Sequence, residues 1–484
     1  MSRTFVIASP LEYKSDFTMS GVARRGSTKS TTRHSAKDEL SYANGFYVDD
    51  QVIGASFGLH LDPLYADWID VALAAYYTDR LSPRREPKRP KSVYQWARRI
   101  SLKVPVRLPE VWNRVEVSEA VGRALNFFTD DFWSLEFVPR KAGATVEESQ
   151  AFLFPSPIVP PTYVALLSGG LDSFAGASRA VEELPESAFI FVSAATNSRQ
   201  RSAQREQVRA LRRVARREVR HITVPFGLSR RGRLRGKGEE QSQRARGFLF
   251  LTFGAVTALT ARSSALHIHE NGIGAINLPY DATQLGTSNS RGVHPLSLMR
   301  MGELAEALIN SSFEFRNPYL YQTKGQMCDH PAVRNMAAHI KTTFSCDGFP
   351  VQARGKPQCG SCTSCLLRRV SLEASRLSAF DPSQHYVCDL SSGSIKSSER
   401  QLRNLKAMEW QFRKLAQRLK TPEAWQSLIT EFPDLQTLAS ELGARSRGGE
   451  LEVSRLLLQL YARYTSEWKY FSARERLGVR ALAA

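Results

Sequence analysis

The sequence has no run of apolar residues approaching the ~18 needed for a membrane-spanning helix, no GxxxxGK[ST] phosphate loop, and only six cysteines in 484 residues. Each absence excludes something. Without the long apolar run there is no candidate transmembrane helix. The segment Phe5–Ala8 is too short for a signal-peptide core before Glu12, Lys14 and Asp16 interrupt it, so a cytoplasmic protein with no membrane association is expected. Without the GxxxxGK[ST] loop, γ-phosphoryl transfer of the kinase type is disfavoured. Six clustered cysteines are too few for a disulfide framework in a chain of this size, and they suit metal binding in a reducing compartment.

Acidic residues are also scarce, 47 against 66 basic ones, giving a net charge of +19. The excess is concentrated. Between Arg199 and Arg246 lie fifteen arginines and one lysine against four glutamates, which supply +12 of the total. Two readings stay open: phosphates of a nucleic acid, or a solvated helix face (Arg205, Arg209, Arg212, Arg213, Arg216) followed by a basic loop over 229–238. Aromatic residues that would stack on bases are missing from the arginine run.

With 42% hydrophobic residues the chain can bury two or three cores. Residues 1–155 read as a small α+β domain: a helix over 63–81, a strand over 100–106, a helix over 118–128 and a strand over 132–138. Its aromatics Trp112, Phe127, Phe128, Phe132 and Trp133 are expected in the core. Pro155, Pro157, Pro160 and Pro161 form a stiff linker. From 156 to 395 strands and helices alternate, which predicts an α/β domain with a parallel sheet. Residues 396–484 carry apolar residues at intervals of three and four (Leu402, Leu405, Met408, Phe412, Leu415, Leu419) and read as a helical extension.

Ser168-Gly169-Gly170-Leu171-Asp172-Ser173 follows the apolar strand Tyr163–Leu167 and precedes a helical stretch. Two glycines let backbone amides approach an anion, the serines add donors, and the helix turns its partly positive end to the same point. The loop is suited to phosphates; the other reading is a tight turn without a ligand. Cys346, Cys359, Cys362 and Cys365 form C-x12-C-x2-C-x2-C, in which thiolates two residues apart wrap one ion and the fourth arrives across a loop. Four thiolates suit Zn2+ and do not by themselves separate it from an iron–sulfur cluster. Cys328 and Cys388 are expected in the core.

The loop resembles the SGGxDS pyrophosphatase loop of the N-type ATP pyrophosphatases. That resemblance implies a Rossmann-like parallel sheet and cleavage of ATP to AMP and pyrophosphate. The segment Cys359-Gly-Ser-Cys-Thr-Ser-Cys-Leu-Leu-Arg368 is similar to the CGxCxxCxxR end of 7-cyano-7-deazaguanine synthase, which implies a structural zinc. Together with Arg246–Phe250, His269–Ile273, Asn277–Pro279 and Val293–Pro295, the added regions resemble the large synthase-like proteins of bacterial anti-phage operons, the Qat system among them.

The resemblance implies roles for particular residues. Ser168, Gly169, Gly170, Leu171, Asp172 and Ser173 would hold the pyrophosphate end of ATP, with Asp172 placed for Mg2+ or for fixing the loop. Ser193 and Thr196 would lie near adenine. Lys324 would neutralise the departing phosphate, or is a solvated surface lysine. Arg246 matches an arginine entering a helix. Glu270 and Asn271 would bind a polar heterocycle, or form an Asn-Gly turn, and His294 is a further candidate; His267 and His269 are read as structural. The implied chemistry is adenylation of a deazaguanine-like carboxylate followed by amide formation, with a partner protein's amine as acceptor. The competing expectations are a tRNA-modifying enzyme and a non-catalytic ATP-binding subunit.

Overall fold

A computed structural model describes residues 3–7, 37–40, 46–84, 97–140, 162–195, 197–228, 240, 242–280, 291–348, 356–388 and 399–474. The proline-rich segment 155–161, the basic loop 229–238 and Thr196 lie outside them. Among the described residues no helix is long and apolar enough to cross a membrane. The chain forms two compact units, and both are built from mixed α/β structure with parallel strands.

The first unit comprises Met1–Ile158, Val224–Ser264 and Arg300–Phe313. Its four-stranded sheet, ordered Lys37–Leu40, Arg3–Ile7, Arg99–Val106, Phe132–Pro139, is parallel at every pairing. This corrects the α+β expectation for the N-terminal region. Arg99–Val106 alternates buried side chains with half-buried ones after an exposed Arg99, the pattern of a strand covered more fully on one face, but helix Val115–Thr129 then returns the chain to a parallel neighbour instead of an antiparallel one. Asp62 starts the helix Pro63–Leu81 by accepting the Leu64 amide, and this helix is buried along almost its whole length. Buried acids on it are matched: Arg107 pairs with Asp67 at 3.0 Å, and Arg98 joins Asp79 and Asp131, each at 2.5 Å. Trp112, Phe128 and Trp133 are in the core as expected. Phe132 is not; it is 58% exposed, with the Arg99 guanidinium 5.3 Å above its ring.

The second unit comprises Val159–Thr223, Ala265–Met299 and Glu314–Ala484. Its strands are ordered Glu314–Arg316, Ala265–His267, Thr162–Leu166, Ala188–Ala195 and then the strand beginning at Val219. Thr162–Leu166 pairs in parallel with both of its neighbours. After it the chain builds outward first on one side and then on the other. The C-terminal end of Thr162–Leu166 is therefore the switch point at which open α/β sheets place their ligands. The helices Leu171–Glu183 and Ser198–Val214 cover the sheet through Phe174, Ala177, Val208 and Leu211, packed on Phe189 and Phe191. Helices Glu399–Arg418, Ala424–Glu431, Asp434–Gly443 and Gly449–Arg474 complete the unit; the last buries Leu457, Tyr464 and Trp468, with Trp468 6.1 Å from the Phe412 ring.

Candidate functional site

The loop from Ser168 to Ser173 leaves the central strand at the switch point. Gly169 has φ +91°, a conformation glycine adopts without the strain a side chain would bring. Its carbonyl accepts from the Phe344 amide at 3.1 Å and from Gln207 Nε2 at 2.9 Å, while the Ser168 carbonyl accepts from Gln204 Nε2 at 3.2 Å. The Gly170 amide donates to Ser168 Oγ at 3.1 Å, and Ser173 Oγ donates to the Gly170 carbonyl at 3.0 Å. The loop carbonyls are thus drawn into the protein. No described side chain caps the helix at Gly170, an arrangement whose first-turn amides and positive dipole end suit an anion.

Asp172, in the first turn of that helix, is the centre of a polar quartet with Lys324 and Asn271, both buried, and Glu270, which is half-buried. Lys324 Nζ lies 2.7 Å from Asp172 Oδ2, and Asn271 Nδ2 donates to Asp172 Oδ1 at 2.9 Å and to Glu270 Oε1 at 2.8 Å. Two short helices deliver these partners. Asn271 caps Gly272–Ile276 through the Gly274 amide, and Lys324 opens Lys324–Cys328 behind a Thr323/Gln326 capping box. Asn317 Nδ2 fixes the turn by donating to the Glu270 carbonyl at 2.8 Å. Lys324 is only 4% exposed, which excludes the surface-lysine reading. Burial opposes its charge, but Asp172 and Glu270 outweigh burial and hold its pKa above the ordinary value.

One cation therefore serves two carboxyl groups, and Glu270 is the one left short. Burial, and then the negative charge of Asp172, push it up to about 8. A carboxyl raised in the folded state stabilises the fold below its unfolded pKa, and that contribution is lost as pH rises toward 8. Glu270 is expected to contribute a decline in stability between about pH 4.5 and pH 8, so Glu270→Gln should lose less stability over that interval than the wild type does. Urea denaturation at pH 5 and pH 8 checks this; equal slopes in the two proteins would contradict it.

The four cysteines converge. Their sulfurs all lie within 4.8 Å of one another, and Cys359 and Cys365 Sγ are 3.9 Å apart. Four thiolates at ~2.3 Å from one tetrahedral ion stand roughly 3.8 Å apart, so the cluster can hold a metal such as zinc. Backbone amides already point at the sulfurs: Cys362 donates to Cys359 Sγ at 3.2 Å and Cys365 to Cys362 Sγ at 3.4 Å. Gly360 turns at φ +81° beside the Cys388 carbonyl. Arg368, fully buried, bonds Asp381 at 2.9 Å, Thr343 Oγ1 at 2.7 Å and the Ile340 carbonyl at 3.0 Å, tying the cysteine helix to the segment that leads to Phe344. Cys328 is in the core, where burial, then Asp172, raise its thiol to about 12. Cys388 is buried as well.

The remaining candidates are placed less directly. Ser193 is buried, its hydroxyl donating to the Leu167 carbonyl at 2.7 Å and meeting His221 Nε2 at 2.9 Å. His294 Nδ1 accepts the Leu296 amide where helix Pro295–Ile309 begins, and burial, with Arg291 nearby, lowers it to about 3. Arg246 opens helix Arg246–Thr260 in the first unit, exposed, its guanidinium 5.5 Å over Phe250. Tyr163 stacks on His267 at 3.8 Å and bonds His269 Nε2 at 2.9 Å, as befits structural histidines.

The arginine helix Ser198–Val214 has two different faces. Arg201, Arg205, Arg209 and Arg213 are exposed, whereas Gln204 and Gln207 are buried against the carbonyls of the Ser168–Ser173 loop. Sequence reasoning saw only the first face. The glutamines recur at three- and four-residue spacing inside the charge run, and that was the available signal. Glu467 was missed as well; it accepts from Thr323 Oγ1 at 2.5 Å across 144 residues of sequence, a distance at which no local pattern operates. No family model matches this chain, and no curated protein matches it.

Proposed function

We propose that the chain is an ATP-dependent, amide-forming ligase with a pyrophosphatase-type loop on a Rossmann-like sheet. The observation that carries this reading is the uncapped, carbonyl-withdrawn loop Ser168–Ser173, with the buried Lys324–Asp172 pair at its helix start. A substrate carboxylate attacks the α-phosphorus of ATP, the bond to the bridging oxygen breaks, and pyrophosphate leaves. An amine then adds to the acyl carbon, AMP departs with the electron pair of the acyl–oxygen bond, and the amine gives up a proton.

The chain's own groups divide the work. The loop amides and the serine hydroxyls bind phosphate oxygens and Lys324 offsets charge on the leaving pyrophosphate; Asp172 is the carboxylate that would hold Mg2+, whose charge would be supplied to the phosphates. Glu270 and Asn271 offer a carboxyl and an amide to a polar heterocycle, and the resemblance of the sequence motifs suggests a deazaguanine-like carboxylate. Zinc is the ion proposed for the four cysteines, in a structural role. The same resemblance suggests anti-phage defence, with a partner protein's amine as acceptor.

The test is pyrophosphate release from ATP with a deazaguanine carboxylate, together with intact-mass measurement of co-expressed partner proteins. The reading expects release that depends on the carboxylate and a mass addition that requires Asp172. ATP binding without any release would instead support a purely assembly-related role.

A further inference from the structure

The two partners of Asp172 come from two separate short helices, and one long helix is packed on both. On Gly449–Arg474, Leu460 and Glu467 are two turns apart and so share a face. Leu460 lies over the first residue of Gly272–Ile276: a Cβ on Gly272 would come within 2.7 Å of Leu460 Cδ2. Glu467 lies over the second residue of Lys324–Cys328: a Cβ on Gly325 would come within 2.6 Å of Glu467 Oε1. The same oxygen receives Thr323 Oγ1–H at 2.5 Å, directly before Lys324, and Glu467 is 5% exposed. Both short helices have only five residues, too few to hold their direction alone.

We propose that Glu467 is a positioning residue for the nucleotide site, acting through Thr323 to aim Lys324 at Asp172 and the phosphate loop. The terminal helix is thereby a working part of the site, with Leu460 and Glu467 setting the distance between Asn271 and Lys324. Gly325 leaves room for the Glu467 carboxyl at a helix start, while at Gly272 the Leu320 carbonyl, 1.9 Å from where a Cβ would stand, excludes a side chain more strictly than Leu460 does. Thr323 would have a good cap without Glu467, because its hydroxyl oxygen already accepts the Gln326 amide. What Glu467 adds is a fixed direction for the hydroxyl hydrogen, and with it for the first turn that carries Lys324.

This inference rests on the nucleotide-site reading, and two measurements on the full chain keep the two apart. The first is the acylation rate of Lys324 by an amine-reactive ester, read by peptide mass; the second is ATP affinity by competition with a fluorescent ATP analogue. Glu467→Ala is expected to raise Lys324 labelling about tenfold and to weaken ATP about tenfold. Glu467→Gln, which still offers an oxygen to Thr323, should stay within about twofold of wild type in both. Unchanged Lys324 labelling in folded Glu467→Ala overturns the proposal, as does equal loosening in the alanine and glutamine variants. If the alanine variant does not fold, Thr323→Val removes the donor at nearly constant volume, and unchanged labelling there overturns the proposal equally. Should labelling respond as expected while the wild type binds no ATP, the positioning role stands and the nucleotide reading falls.

Discussion

Alanine at Asp172 is expected to abolish pyrophosphate release, a fall of about a thousandfold or more, and to destabilise the second unit by about 3 kcal/mol. The two effects have separate causes. Stability falls because Lys324 is buried and its ion pair with Asp172, at 2.7 Å, is lost, while Asn271 Nδ2 loses one of its two acceptors. On the proposed ligase reading, activity falls because no carboxylate would remain at the helix start to hold Mg2+ beside the phosphates. The double variant Asp172→Ala/Lys324→Met separates them: removing the orphaned cation should restore most of the lost stability and none of the activity. Chemical denaturation and the pyrophosphate assay give the two readouts. Near-normal release in Asp172→Ala would remove this carboxylate from the chemistry.

Much of this site was legible in the sequence because its parts are local. The loop Ser168–Ser173 has its glycines, its serines and its flanking strand within a dozen residues; the strand formed within one residue of its expected bounds, and a helix follows as expected. The cysteines were legible for the same reason, three of them falling within seven residues. What stayed hidden depends on long-range approach. Nothing in the Lys324 segment says that it is buried against Asp172, 152 positions earlier, or that Glu467 covers it from the terminal helix. The α+β expectation failed for a related reason: the alternation in Arg99–Val106 reports one covered face but carries no information on the direction of the neighbouring strand.

Loss of metal is expected to have the second large effect. Binding of a structural ion to four thiolates is worth on the order of 10 kcal/mol, comparable to the whole stability of a domain. Cys362→Ser should therefore lose the metal and release the segment 356–388 to proteolysis. The disturbance should not stop there. Thr342, Phe344 and Cys346 are consecutive along one short stretch; the Phe344 amide holds the Gly169 carbonyl, and Gln207 Nε2 bridges the Gly169 and Thr342 carbonyls at 2.9 and 3.3 Å. Weaker ATP binding should accompany metal loss, about tenfold for one or two lost loop hydrogen bonds. Elemental analysis, limited proteolysis and nucleotide titration check the three parts. Zinc at one per chain with no visible absorption is expected, and a band near 400 nm would identify iron instead.

The interleaving of the two units along the chain sets a timetable for synthesis. The first unit has most of its sequence by residue 158, but its own contacts call on 224–264 and 300–313. Helix Pro63–Leu81, apolar on nearly all sides, packs against Arg246–Thr260 within that unit. At roughly 5–20 residues per second, the ~100 residues from 158 to the end of that later helix take about 5–20 s to be made. During that interval helix Pro63–Leu81 has no native cover from the later helix. The nascent protein is then a natural client for holding chaperones, and codon changes that slow the ribosome between 158 and 313 should lower the soluble yield without altering a single residue.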